Sequence, residues 1–191
     1  MIFLIAGLVL FIGLHSTRIF ANDWRNDVVG RIGLNKYKMF YSVISLIGFV
    51  LLIYGFGQTR ADPSFIWTPP LWSRHLAALL TLFAFILFAA AEIPGNHIKS
   101  KLGHPMYLGV KLWAFAHLMA NGRLGDILLF GVFLMWAIVG FSAARRRDRR
   151  EGVVYPSPSG QKTAIAIMGG IVAWALFAFW LHRLLIGVPP L

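Results

Sequence analysis

The stretch LGDILLFGVFLMWAIVGFSAARRRDRR, residues 124–150, decides the fold. Residues 124–144 contain one charged side chain, Asp126. They are long enough to cross about 30 Å of hydrocarbon, which takes about 20 helical residues. Five arginines follow within residues 145–150, and such basic clusters accumulate at the cytoplasmic ends of transmembrane helices. The stretch therefore predicts a membrane-spanning helix that ends in the cytoplasm.

Similar apolar runs occupy most of the remaining chain. They lie at 2–20, 38–57, 71–93, 105–121 and 163–187. The composition agrees, because 58% hydrophobic and 13% charged residues exceed what one soluble core can bury. Backbone groups in lipid must bond within their own segment, so the runs are helices. We expect an all-α integral membrane protein, one domain over residues 1–191 with about six transmembrane helices, the first of them retained rather than cleaved.

The positive charges predict the orientation of the bundle. Cytoplasmic connections carry the excess of lysine and arginine. Thirteen basic residues flank the connections after the first, third and fifth runs, whereas four lie on the other side. Both termini are therefore predicted to be non-cytoplasmic. The lipid bilayer is the expected partner of this surface.

Net charge and cysteine content limit the possible functions. The net charge of +11 could suggest nucleic acid, but the basic residues lie at the ends of apolar runs rather than on a wettable face, so no nucleic-acid partner is expected. The chain has no cysteine, which excludes disulfides, thiolate nucleophiles and cysteine-ligated clusters. Its six histidines are then the strongest nitrogen ligands for a metal or haem iron.

His117 is the first candidate site residue. Trp113, His117 and Asn121 recur every four residues and share one helix face, with small residues along its flank. Small residues let a neighbouring helix or a flat ring approach closely. The face therefore suits either a neighbouring helix or a porphyrin.

His15 is the second candidate, three residues before Arg18 at the cytoplasmic end of the first helix. A haem site would use His15 as an axial ligand and Arg18 as a partner of a propionate, since guanidinium pairs well with carboxylate. The alternative is a local bond from the imidazole to a backbone carbonyl or to water. The sequence leaves both possibilities open.

Depth in the membrane offers other pairings. With alternating helices, the Cα atoms of His15 and His117 would differ by ~12 Å in depth. By depth alone, His15 would sooner meet His104 near the cytoplasm, and His75 would sooner meet His117 near the outer face. His75 and His104 are therefore substitute ligands. We expect most aromatic residues to face lipid, with Trp72, Trp113 and Tyr107 as the exceptions closest to these histidines.

Three segments carry a family resemblance: FIGLHSTR at 11–18, LWSRHL at 71–76 and GHPMYLGVKLWAFAHLMANG at 103–122. The last contains the string HP-x₃-G-x₃-WA-x₂-H-x₃-NG. Together they resemble the NnrU family of bacterial membrane proteins over about residues 5–150, which leaves the apolar run at 163–187 as an extra C-terminal helix. The resemblance implies a place in the bacterial inner membrane and a link to denitrification and nitric oxide metabolism.

NnrU-like chains are also related to the plastid 15-cis-ζ-carotene isomerase, a haem b protein with histidine ligands. Carried over by position, that relationship implies His15 and His117 as ligands of a haem iron. The isomerase branch has a cysteine three residues before the second histidine, where this chain has Ala114. The difference counts against isomerase activity more than against haem binding.

The leading hypothesis is therefore a haem b membrane protein in nitrogen-oxide or electron-transfer physiology, with nitric oxide or a membrane reductase as partners. The alternatives are a cis-trans isomerase of an isoprenoid and a non-catalytic membrane assembly factor. No catalytic residue is assigned.

Overall fold

The computed structural model describes residues 1–61 and 63–190, which fold as a chain of helices. Their bounds are α1 Ile2–Phe20, α2 Asn22–Ile32, α3 Leu34–Ala61, α4 Leu71–Glu92, α5 His97–Leu102, α6 Pro105–Ala120, α7 Leu124–Glu151, α8 Gly160–Leu176 and α9 His182–Ile186. A π-helical turn, Phe177–Leu181, joins α8 to α9 without a break. No strand is found among the described residues, which confirms the all-α fold.

Five helical segments are long and apolar enough to cross a membrane. They are α1, α3, α4, α7 and the continuous segment Gly160–Ile186. The predicted span at 105–121 corresponds to α6, which is shorter, with 16 residues. The chain is thus a helical membrane protein by length and composition of its helices.

Two short helices were not predicted, because neither contains an apolar run. Helix α2 has the polar sequence NDWRNDVVGRI, and Gly33 at φ +83° separates it from α3. Helix α5 begins after Asn96, whose side chain accepts a hydrogen bond from the backbone N–H of Lys99 at 2.8 Å. That bond is an ordinary helix N-cap. Helix α3 also extends beyond the predicted 38–57 at both ends.

The long helices pack as a series of neighbouring pairs, and α3 also contacts α7, so that α1, α3 and α7 form a group of three. Helix α3 lies against α1, α1 against α7, α7 against α6, α6 against α4, and α4 against α8. Helix α7 therefore stands between α1 and α6. This order matters for function, because α1 carries His15 and α6 carries His117.

Glycines allow α1 and α3 to pack closely. A Cβ atom added at Gly55 of α3 would overlap the backbone of Leu4 in α1, which is fully buried. Gly57, two residues further along α3, has no atom within 4 Å of such a Cβ position. The contact at Gly55 is the small-residue packing that membrane helices use for close approach.

We expect Gly55→Val to separate α1 from α3. Overpacking a closely packed contact costs about 1–3 kcal/mol, so the free energy of unfolding should fall by about 3 kcal/mol. Thermal unfolding in detergent micelles measures the change. Gly57→Val is the matched control and should be close to neutral; an equal loss in both variants would contradict close packing at Gly55.

Candidate functional site: two histidines on either side of α7

His117 lies in the last turn of α6, where its ring is held by its own helix. Its Nδ1 lies 2.7 Å from the carbonyl oxygen of Trp113, four residues earlier. The ring stacks on Phe130 of α7 with centroids 4.5 Å apart and lies 5.1 Å from the ring of Trp113. The predicted Trp113–His117 face therefore points at α7.

His15 in α1 repeats this arrangement. Its Nδ1 lies 2.7 Å from the carbonyl oxygen of Phe11, again four residues earlier. The ring stacks on Phe11 at 4.2 Å and meets Tyr41 of α3 edge-on at 5.3 Å. Both imidazoles are thus fixed by an identical local bond and by aromatic neighbours.

Three aromatic residues of α7 connect the two histidines. We call Phe130, Phe133 and Trp136 the α7 aromatic face. Phe133 lies 6.0 Å from Phe11 of α1 and 5.6 Å from Trp113 of α6, measured between ring centroids. Trp136 lies 6.2 Å from the ring of His15. Continuous aromatic packing therefore runs from one imidazole to the other.

The two histidines lie at different levels along α7. His117 is beside Phe130 and His15 is beside Trp136, six residues further along the same helix. Six residues correspond to a rise of about 9 Å. The difference is close to the depth offset expected from the sequence. Phe133, at the intermediate level on α7, contacts Phe11 and Trp113, the residues four positions before the two histidines.

The tautomer of each histidine follows from its local bond. A backbone carbonyl can only accept, so Nδ1 must carry the proton and donate it. The neutral ring then has its lone pair on Nε2, the usual arrangement in a histidine that binds a metal. Within the described residues neither Nε2 atom makes a hydrogen bond. Both rings are thus prepared to act as ligands through Nε2.

An apolar cleft lies between α1 and α7; its lining includes Trp136, whose ring is 6.2 Å from that of His15, but not His15 itself. It has a volume of about 340 Å³. Its lining includes Ile12 and Ser16 of α1 and Met135 and Trp136 of α7. The Nε1 atom of Trp136 is buried and has no hydrogen-bond partner within the described residues. Buried donors are normally satisfied, so this indole nitrogen is an exception within the described part of the chain.

The other predicted site residues lie elsewhere. Arg18 is exposed in the last turn of α1, and His75 is exposed in the first turn of α4. Asn121 donates from Nδ2 to the carbonyl oxygen of His117 at 2.9 Å. This bond satisfies one of the carbonyl groups that remain free at the C-terminal end of α6, which is a structural role.

His104 has its own partner. Its Nε2 lies 2.8 Å from Oδ2 of Asp148 near the end of α7, and the hydroxyl of Tyr155 donates to the same oxygen at 2.6 Å. Burial and the Asp148 carboxylate raise the pKa of Tyr155 to about 12, so its phenol keeps the proton and donates. Asp148 thus connects the start of α6 and the segment after α7 to the end of α7. Its bond to His104 also occupies Nε2, the nitrogen through which His104 would bind a metal.

Sequence reasoning missed the α7 aromatic face, Asp148 and Tyr155. It expected only Trp72, Trp113 and Tyr107 near the candidate histidines, and the structure adds Phe130 and Trp136 to them. The residues of the α7 aromatic face recur every three positions, which indicates a shared face, but only the position of α7 between α1 and α6 makes that face an interior one. Trp72, by contrast, is 58% exposed and takes no part in the site.

The helices define a multi-helix membrane protein in which His15 and His117 both contact aromatic residues of α7. The chain belongs to the NnrU family: the family model described as NnrU protein matches residues 3–190. The match includes the last helix, which the resemblance over residues 5–150 had left outside. No match was found among curated proteins or among solved structures.

Proposed function

We propose that this NnrU-family chain is a membrane protein that binds haem b through His15 and His117 and acts in nitrogen-oxide metabolism or membrane electron transfer. One observation carries the proposal. Both imidazoles have an Nε2 atom without a hydrogen bond among the described residues, and both contact the α7 aromatic face; their Nδ1 bonds are the local bonds that the structural alternative also expects. The family's link to denitrification supports the physiological part.

The donor set fits a haem better than a bare metal ion. Within residues 1–61 and 63–190 no group of three or more His, Asp or Glu side chains could hold a metal ion. Haem iron needs only one or two protein ligands, because the macrocycle supplies the rest. The aromatic and aliphatic side chains around both imidazoles suit a flat apolar ring.

The position of Phe133 distinguishes two forms of the site. A haem held by both histidines would have to share the level of Phe133 on α7, where Phe133 packs on Phe11 and Trp113, whereas a haem held by one histidine would not. Coordination by two histidines would suit electron transfer. Coordination by one would leave an axial position for nitric oxide or for action on a bound polyene.

The test is a reduced-minus-oxidised absorption spectrum of protein purified from haem-sufficient cells. The proposal expects a Soret band and α and β bands typical of haem b, at close to one haem per chain. Pyridine haemochrome analysis identifies the haem type. Well-folded protein without a Soret band at near-stoichiometric level would refute haem binding.

A second candidate is a non-catalytic factor that assists assembly of a membrane reductase. Its support is that the backbone bonds and aromatic packing of His15 and His117 also occur in purely structural histidines. This candidate expects no Soret band, together with loss of reductase activity in cells when the chain is deleted.

A third candidate is an isoprenoid isomerase, supported by the apolar cleft between α1 and α7. Its volume of about 340 Å³ falls within the usual range for small-molecule sites. Expression in a carotenoid-producing host should then alter the ratio of cis to trans isomers. An unchanged ratio with well-expressed protein would reject isomerase activity.

For topology, we propose that α6 crosses the membrane with the five longer segments and that both termini are outside the cytoplasm, in a bacterial inner membrane. The thirteen basic residues on one side support this orientation. A reporter fused after Arg150 should behave as cytoplasmic, and one fused after Gly122 as external. The opposite pattern would overturn the orientation.

A further inference from the structure

A second cleft, open to the surface, lies on one face of α7 near its basic C-terminal end. Its lining consists of Phe141, Ser142, Arg145, Arg146 and Arg149. These positions recur at intervals of three and four residues, so they form one face of the helix. The cleft thus has the Phe141 ring at the end nearer the membrane interior and three guanidinium groups toward the end of α7.

The three arginines of the cleft have no carboxylate partner. Over the described ranges, side-chain ion pairs join His104 to Asp148 and Arg123 to Asp126, and neither pair includes an arginine of the cleft. Arg146 and Arg149 are exposed, while Arg145 is partly buried with a guanidinium nitrogen next to Gly103. The cleft is therefore rich in hydrogen-bond donors with uncompensated positive charge.

A fourth cation lies above the arginines. Nζ of Lys111 in α6 sits 4.2 Å from the centroid of the Phe141 ring, a cation–π contact. Arg145 follows Phe141 by one helical turn, about 6 Å further toward the cytoplasm. A charged lysine at such a depth in an apolar helix needs a partner or a function. Lys111 therefore extends the positive charge of the cleft beyond the arginines, toward the membrane interior, beside the Phe141 ring.

We propose that this cleft binds the headgroup of an anionic phospholipid from the adjacent leaflet. Guanidinium groups bind phosphate oxygens in a two-pronged geometry, which suits Arg145, Arg146 and Arg149. Lys111 faces the glycerol and ester region, and Phe141 packs against the first carbons of an acyl chain. All five lining residues belong to α7, and Lys111 of α6 lies beside them on the ring of Phe141. Clusters of arginine at the cytoplasmic end of a transmembrane helix attract anionic headgroups.

The cations lie at two depths along α7, with Lys111 beside Phe141 and the arginines about one helical turn further on. This arrangement favours a lipid over a soluble anion. Free phosphate would use only the arginines, and it has no part that needs Phe141 or Lys111. A phospholipid matches both levels. The site is separate from the histidines on either side of α7, so it stands or falls independently of haem binding.

Native mass spectrometry of the full-length protein in detergent tests the proposal, with phosphatidylglycerol and phosphatidylcholine as ligands. Wild-type protein should retain phosphatidylglycerol preferentially. The double variant Arg146→Gln/Arg149→Gln removes two exposed cations of the cleft and should weaken phosphatidylglycerol binding about tenfold or more. Lys111→Gln should weaken it severalfold.

The matched control is Arg147→Gln/Arg150→Gln, which removes the same charge from the same end of α7 but outside the cleft lining. It should change binding by less than about twofold. Equal weakening by both double variants would show diffuse attraction to the basic rim and overturn the site. Equal retention of the two lipids by wild-type protein, or displacement of phosphatidylglycerol by millimolar inorganic phosphate, would also overturn it.

Discussion

Replacing His117 with alanine is expected to abolish the Soret band, and replacing His15 to abolish or shift it. Each substitution removes an imidazole that its own helix orients through the Nδ1 bond. The variant then has no nitrogen at that position to bind the iron. With coordination by both histidines, either loss leaves the iron one ligand short. With coordination by one, only that histidine's variant loses the haem.

His97→Ala is the control for these variants. His97 lies at the start of α5, where its Nδ1 is 2.8 Å from the hydroxyl of Thr163 in α8. It makes no aromatic contact with the α7 aromatic face among the described residues. Its spectrum should match that of the wild type. Imidazole added to the His117→Ala protein should restore the Soret band in part, a rescue that a merely structural histidine would not show. Loss of haem in His75→Ala or His104→Ala, with His15→Ala unaffected, would contradict the proposed ligand pair.

Arg123→Ala is expected to lower the free energy of unfolding substantially, because it breaks a buried ion pair where α7 begins. Asp126 is 1% exposed, and its carboxylate accepts a hydrogen bond from Nε of Arg123 at 2.9 Å. Removing the arginine leaves a buried carboxylate without its cation. Breaking a buried pair in this way costs about 3–5 kcal/mol, and the partial exposure of Arg123 places the expected loss near 3 kcal/mol.

Chemical or thermal unfolding in detergent measures this loss, with Arg74→Ala as the control. Arg74 is exposed at the same end of the molecule and makes no side-chain hydrogen bond within the part of the chain that the structure describes. Adding Asp126→Asn to Arg123→Ala should recover part of the stability, because the isolated charge is removed. If Arg123→Ala and Arg74→Ala have equal effects, the pair does not stabilise the fold.

Much of the architecture could be predicted from the sequence, because lipid allows few solutions. An apolar run such as 124–144 has to be a helix, and proline and glycine mark where such runs end. The short helices α2 and α5 could not be found in the same way. Helix α5 depends on the Asn96 cap, and α2 on a glycine at φ +83°, neither of which produces hydrophobic periodicity.

The site was predictable along one helix but not between helices. Spacing by four placed Trp113 and His117 on one face, and the structure brings both against α7. Periodicity does not contain the order in which helices pack, so the role of Phe130, Phe133 and Trp136 could not be deduced. For His104, the partner Asp148 is 44 residues away in the sequence. It lies within a run of arginines, and nothing in the local pattern links it to His104.

The length of α6 has a consequence for the surrounding bilayer. Its 16 residues rise about 24 Å, whereas the hydrocarbon layer is about 30 Å thick, and its neighbours α4 and α7 are longer. A spanning helix of this length can be accommodated by local thinning of the bilayer. On the proposed topology, thinning at the C-terminal end of α6 would bring water closer to His117 than the lengths of α4 and α7 alone would allow.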